Sequence, residues 1–154
     1  MNFKETVREQ VITVIIDRLK EIVKTYGYNT NCGQNVIRAR KSIDPDELPA
    51  IVVWPLNEEA EKKYGQMFCT MEFKIESLKK FESENPSIVA EQMLGDMINA
   101  MTYSPISPLI EDITYTSGGL NEYPDAGELV VSSFTTFNVK YSFLTGNPYC
   151  QMEE

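Results

Sequence analysis

The chain has 154 residues, 42% of them hydrophobic, and carries a formal net charge of -9 with no histidine. This length fits one domain with a substantial core, so we expect a single domain over residues 1–154. The absence of histidine excludes the Ser-His-Asp and Cys-His forms of nucleophile activation and nearly every familiar zinc site.

The charge is divided unevenly along the chain. Residues 1–80 carry 13 basic and 12 acidic side chains, whereas residues 81–154 carry 11 acidic side chains and one basic side chain, Lys140. A phosphate-binding surface needs clustered Lys and Arg, so this division argues against general nucleic-acid binding. It is typical of a protomer with one electronegative side, and it also suits solubility alone.

The sequence contains neither a membrane span nor a cysteine framework. No run of about 20 apolar residues occurs, and charged residues occupy positions 4, 5, 8 and 9, where a signal peptide would be apolar. We therefore expect the protein to stay in the cytoplasm of the cell that makes it. Cys32, Cys69 and Cys150 lie far apart and are odd in number, which indicates reduced structural thiols.

The first half of the chain predicts one helix and two strands. Apolar residues recur at three- and four-residue steps over 7–26, which predicts an amphipathic helix that Gly27 ends. A short strand is predicted over 35–40, followed by a turn over 44–47. The apolar run over 48–55 predicts a buried central strand, which Pro55 is expected to end because proline donates no ladder hydrogen bond.

The middle of the chain predicts a loop, a strand and a second helix. Residues 56–65 are rich in charge, and we expect a mobile surface loop there. Apolar and polar residues alternate over 67–76, which predicts a half-buried strand. Asn85-Pro86 predicts a helix start, and the methionine-rich stripe that follows indicates a core-facing helix to Ala100 or Met101. Gly95 inside it would allow a neighbour to approach closely.

The last part predicts two paired strands. A strand begins at Ile110, Ser117-Gly118-Gly119 is expected to break it, and a long alternating strand follows over 128–145. The resulting order has no regular alternation of strands and helices. It predicts an α+β fold, with a mixed, mainly antiparallel sheet and two helices packed on one face.

No catalytic motif is present. The sequence lacks Gly-x-Gly-x-x-Gly, a phosphate-binding loop ending in Gly-Lys-Ser/Thr, and His-Glu-x-x-His. The acid pairs Glu58/Glu59 and Glu111/Asp112 are more typical of solvated surface charge than of acid-base catalysis. We therefore expect no enzyme activity, no metal and no cofactor. We expect a structural protein whose unlike surfaces meet in a heterologous ring contact.

The order of elements resembles that of the tail terminator proteins of long-tailed bacteriophages, also called minor tail or tail-completion proteins. The resemblance rests on the helix over 7–26, Leu48-Pro49-Ala50-Ile51-Val52-Val53, the helix opened by Asn85-Pro86, and Thr135-Thr136-Phe137-Asn138-Val139-Lys140-Tyr141 before Asn147-Pro148-Tyr149. It covers nearly the whole chain, through order and pattern.

The resemblance implies a virion protein that forms a hexameric ring on the finished tail tube. Such a ring stops tube polymerisation and offers a docking face for the head-tail connector protein, so its partners are itself, the tail tube protein and the connector. It would assemble in the cytoplasm of the bacterial host and remain in the virion tail. DNA would pass through the ring without sequence-specific binding, and an acidic lumen would repel its phosphates.

The long loops expected over 57–65 and 117–127 are the predicted ring or tube contacts. The candidate interface residues are Glu58, Glu59, Lys62, Lys63, Tyr64, Glu122, Tyr123 and Asp125. Two alternatives stay open: a head-completion or neck connector protein, and a small-ligand-binding or hydrolytic α+β domain.

Overall fold

The computed structural model describes residues 4–121 and 129–151 and contains one five-stranded sheet with two helices. In chain order the elements are α1 (Val7–Leu19), β1 (Val36–Arg38), β2 (Ala50–Lys63), β3 (Gln66–Lys80), α2 (Pro86–Thr102), β4 (Ile110–Leu120) and β5 (Val130–Leu144). The strand order is β1-β2-β3-β5-β4, with β1 parallel to β2 and the other pairs antiparallel. The predicted α+β fold with a mixed, mainly antiparallel sheet is confirmed.

One face of the sheet forms the core. β3 and β5 bury every second side chain over most of their length, as one-sided burial of a strand requires. Both helices pack against β5 and against each other, so they cover the same face of the sheet. The largest buried side chains are Tyr141, Phe73, Phe137, Ile12, Ile15 and Leu19. The opposite face carries polar side chains such as Glu72 and Lys140.

The first helix is shorter than predicted. α1 begins after Thr6, whose side chain accepts a 3.0 Å hydrogen bond from the Glu9 backbone N–H, and it ends at Leu19 instead of Tyr26. Ile22 is nonetheless buried, while Tyr26 is 71% exposed in a separate 3₁₀ turn, Lys24–Tyr26. The apolar pattern therefore predicts burial correctly as far as Ile22. The α-helix itself ends earlier, at Leu19.

The predicted loop over 56–65 was wrong. β2 continues through Pro55 to Lys63 and pairs with β3 along its length. β1 covers only Ile51, Val52 and Val53, so Pro55 lies on the outer edge of the sheet, where its missing N–H costs no ladder bond. A register shift between Pro55 and Glu58 absorbs the irregularity. The charged side chains belong to an exposed edge strand, where charge blocks unwanted pairing.

The predicted break at Ser117-Gly118-Gly119 was also wrong. β4 runs through these residues to Leu120 and stays paired with β5. A β-carbon on Gly118 would lie 2.4 Å from the Tyr115 hydroxyl and 3.1 Å from the Phe134 carbonyl oxygen. The glycine therefore permits a close approach within the strand.

The second helix agrees with prediction at both ends. Asn85 caps α2 by accepting a 2.8 Å hydrogen bond from the Ser87 backbone N–H, Pro86 is its first residue, and Met93, Met97 and Met101 are buried. The expected close approach at Gly95 was wrong, because a β-carbon there would meet no atom of the described residues within 4 Å. Neither helix in the described part of the chain is long and apolar enough to cross a membrane.

Candidate interaction surfaces

The β2–β3 hairpin ends in a two-residue turn that presents Tyr64 to solvent. Tyr64 and Gly65 have φ of 53° and 76°, and Lys63 pairs with Gln66 on either side of them. Positive φ at both positions is the pattern of a type I′ turn, which favours Asn-Gly. Tyr64 is 89% exposed, with the Lys63 ammonium 5.4 Å from its ring centroid. Left-handed backbone costs a residue with a β-carbon about 1 kcal/mol, and the contacts of this exposed side chain do little to offset that.

The other candidate residues of this segment differ in role. Glu58 accepts a 3.2 Å ion-paired hydrogen bond from Arg8, which also donates a 2.6 Å bond to the Leu56 carbonyl oxygen. Glu58 therefore helps to fasten α1 to the β2 edge. Glu59 and Lys62 are exposed, and neither side chain forms a comparable bond with another residue of the described ranges.

The second predicted contact segment is only partly described. Glu122, Tyr123 and Asp125 lie outside the described residues. Ser117–Leu120 forms the end of β4, and the Asn121 side chain donates to the Glu76 carboxylate at 3.2 Å. These residues do not meet the hairpin turn, because Leu120 pairs with Ser133 whereas Gly65 accepts a hydrogen bond from Thr145. The two positions are separated by most of β5, or about 35 Å of strand.

A cleft that sequence reasoning missed lies between the end of α2 and the start of β4. Its volume is about 330 Å³. Its wall is apolar at Met101, Ile106, Ile110 and Ile113, and it is acidic at Glu111 and Asp112. Tyr103, which is 53% exposed, also lines the cleft.

Arg18 fixes the helix end that forms one wall of this cleft. The guanidinium, only 8% exposed, donates hydrogen bonds to the carbonyl oxygens of Ala100 at 3.0 Å and Pro105 at 3.1 Å. It also lies 4.2 Å from the Tyr103 ring centroid and 3.5 Å from the Glu21 carboxylate. The first bond satisfies a carbonyl in the last turn of α2 and the second holds the segment that follows the helix, so the wall is preorganised.

The sequence carried a weak signal of this cleft. An aromatic residue and two prolines follow the helix, and the acid pair Glu111/Asp112 comes next. From the sequence alone these residues predict a turn and solvated charge, because the hollow between them depends on Arg18 and β5, which are distant in sequence.

A second cleft of about 400 Å³ opens on the polar face of the sheet. Glu59, Glu61, Thr70 and Lys140 line it, and Glu111 lies between the two clefts. Lys140 stands opposite Asp112 in the β5–β4 ladder.

The buried thiols of Cys32 and Cys69 have a structural role. Burial raises the pKa of the Cys32 and Cys69 thiols to about 11, so both stay protonated and unreactive at neutral pH. Among the described residues, no group of three or more His, Cys, Asp or Glu side chains is arranged to hold a metal ion.

Comparison of the chain with protein-family models and with curated proteins gives no match.

Proposed function

We propose that this chain is a structural virion protein that caps the tail tube of a long-tailed bacteriophage as a hexameric ring. The ring ends tube polymerisation and forms the interface for head-tail joining. Its partners are further copies of the same chain, the tail tube protein and the head-tail connector protein.

One observation carries the proposal: two unlike surfaces stand at opposite edges of the same end of the sheet, because Ala60 of β2 is level with Ile110 of β4. The β2–β3 turn presents Lys62, Lys63 and the exposed Tyr64, whereas the start of β4 presents Glu111 and Asp112 beside an apolar cleft. Surfaces that differ in this way are suited to heterologous contacts, which close into rings when the rotation between copies allows it. The acidic second half of the chain also suits a ring through which DNA passes, because it repels phosphates.

The test is the solution mass by light scattering over a concentration series, with and without tail tubes polymerised from the tube protein of the same phage. Negative-stain imaging of the tube ends accompanies it. We expect a ring, or a monomer that forms one layer at a tube end. A monomer that ignores tubes and binds isolated heads or necks would replace the proposal with the neck connector function.

The 330 Å³ cleft favours a second candidate, a small-ligand-binding or hydrolytic domain, because two carboxylates flank an apolar hollow there. A ligand screen by thermal shift tests this candidate. Stabilisation of the wild-type chain that Glu111→Gln abolishes would support it and count against capping.

A further inference from the structure

We propose that Tyr64 of one copy inserts into the cleft between α2 and β4 of a second copy, and that this contact builds the ring. This inference rests on the proposed function, and it identifies the residues through which neighbouring copies in the ring contact one another.

Tyr64 has the properties of a binding residue and little role in its own fold. Its side chain is 89% exposed and it occupies a turn position that favours asparagine or glycine. Tyrosine is among the residues that dominate binding energy at interfaces, because it offers a large rigid surface with a polar end. An exposed aromatic side chain on a strained turn therefore indicates recognition.

The cleft has the matching shape and charge. Its volume of about 330 Å³ lies at the small end of the range for ligand pockets, which suits one aromatic side chain. Its apolar wall would contact the ring, and its Glu111 and Asp112 would meet Lys62 and Lys63 beside Tyr64. Lys140 opposite Asp112 offsets part of this charge, and Arg18 behind the wall is paired with Glu21, so the rim stays acidic.

The geometry excludes insertion into the same copy. Ala60 of β2 is level with Ile110 of β4, through Cys69 and Tyr141 of the strands between them. Tyr64 is therefore separated from the start of β4 by three strand spacings across the sheet. It also lies four residues beyond Ala60 along the strand direction, so the total distance is roughly 20 Å. A tyrosine side chain cannot span that distance, so the cleft is open to a second copy.

The free sheet edges favour this side-chain contact over strand pairing. Beyond Val53, β2 carries Pro55, a register shift and a run of charged residues over 58–63, and β4 carries two register shifts. Prolines, bulges and charges are features that prevent edge strands from adding to one another.

The experiment uses two variants that each remove one side of the contact. Tyr64→Asn removes the inserted ring and keeps a turn-compatible residue, whereas the double substitution Glu111→Lys and Asp112→Lys reverses the rim charge at exposed positions. Analytical ultracentrifugation of each variant, or the counting of capped tube ends if the wild-type chain assembles only on tubes, should show assembly weakened by about 30-fold or more, as expected for loss of a hot spot. Reversal of two exposed acids elsewhere, Glu82→Lys with Glu91→Lys, is the matched control and should assemble like wild type.

Mixing the two variants is the decisive measurement. The Tyr64→Asn chain keeps an intact cleft and the charge-reversed chain keeps an intact tyrosine, so the mixture should form 1:1 dimers and nothing larger. A mixture that sediments as its separate components, or a Tyr64→Asn chain that assembles like wild type, would overturn the inference. The proposed capping function would still hold after that result if the wild-type chain formed rings on tube ends. It would be contradicted only if the wild-type chain formed no such rings.

A crosslink locates the contact directly. Chains with Lys63→Cys, which keeps Tyr64, and with Glu111→Cys, both carrying Cys150→Ser, are mixed at high concentration and mildly oxidised. A disulfide-linked heterodimer should form far more readily than with Glu91→Cys, the control on the exposed side of α2. Equal yields from both pairs would count against the insertion.

Discussion

The hydroxyl of Thr30 donates a 2.7 Å hydrogen bond to the carboxylate of Asp96, and both side chains are buried. The same carboxylate accepts hydrogen bonds from the backbone N–H groups of Thr30 at 2.9 Å and Asn29 at 3.0 Å. Asp96 lies on α2, whereas Thr30 belongs to the connection after α1. A buried carboxylate is tolerated when its oxygens are hydrogen-bonded, and here those bonds fasten the connection to the helix.

Thr30→Val should destabilise the fold by about 1–2 kcal/mol, because valine keeps the shape and leaves the buried carboxylate short of one donor. Urea unfolding of the two proteins at pH 7 measures the difference. Thr13→Val, at an exposed position of α1, is the matched control and should change the free energy of unfolding by no more than about 0.5 kcal/mol. Equal effects of the two substitutions would show that the Thr30 bond contributes nothing.

The elements that the sequence predicted well are those that bury one face along their whole length. α2, β3 and β5 repeat an apolar residue at the period of their own backbone, so local pattern and tertiary burial agree. The fold class followed from the order of these elements.

The edge strands could not be predicted in the same way. The second half of β2 and the end of β4 contain the charged, proline and glycine residues that are typical of loops. They are strands because the long neighbours β3 and β5 supply hydrogen-bond partners, which is a nonlocal cause. The Tyr64 turn and the cleft could not be predicted from the sequence for the same reason, because each depends on the position of an edge strand in the sheet.

Gly95→Ala should stabilise the protein by about 0.5–1 kcal/mol, because alanine lowers the conformational entropy that a helix interior costs. The position is exposed and a β-carbon meets no atom within 4 Å. Thermal unfolding of the variant should show a melting temperature raised by a few degrees.

The same substitution at Gly33 should have the opposite sign. A β-carbon there would lie 2.5 Å from the Leu19 carbonyl oxygen and 2.8 Å from that of Ile22, so the backbone must shift. Two glycine-to-alanine variants that moved the melting temperature in the same direction would contradict this interpretation of the packing.

Glu9→Gln should reduce stability at neutral pH, and its effect should diminish as the pH falls below 4.5. Arg38 donates hydrogen bonds of 2.5 and 2.8 Å to the Glu9 carboxylate, and this bonding lowers the pKa of Glu9 below its ordinary value of 4.5. A lowered folded-state pKa gives stability that is fully present above pH 4.5 and is lost as the pH falls through the lowered value. Because both side chains are about one-third exposed or more, the contribution is at most about 0.5–1 kcal/mol.

Denaturant unfolding at pH 7 and pH 3 checks this dependence. The wild-type chain should be more stable than Glu9→Gln at pH 7, and the difference should shrink at pH 3. Glu91→Gln, on the exposed side of α2, is the control and should track the wild type at both pH values. A difference that persisted unchanged at pH 3 would assign the effect to packing instead of charge.

Tyr64→Asn should make the isolated chain more stable by about 0.5–1 kcal/mol, because asparagine adopts the left-handed backbone of a type I′ turn at a lower cost than tyrosine. The measurement is denaturant unfolding at a protein concentration low enough that the chain does not assemble. Tyr26→Asn, which replaces another exposed tyrosine without positive φ, should change stability by less than about 0.5 kcal/mol.

A loss of stability in Tyr64→Asn would mean that the tyrosine supports its own hairpin. A gain of stability together with a loss of assembly would separate the two roles in one variant. The strained tyrosine would then be explained by the contact it makes with a second copy, since the fold alone is better served by asparagine.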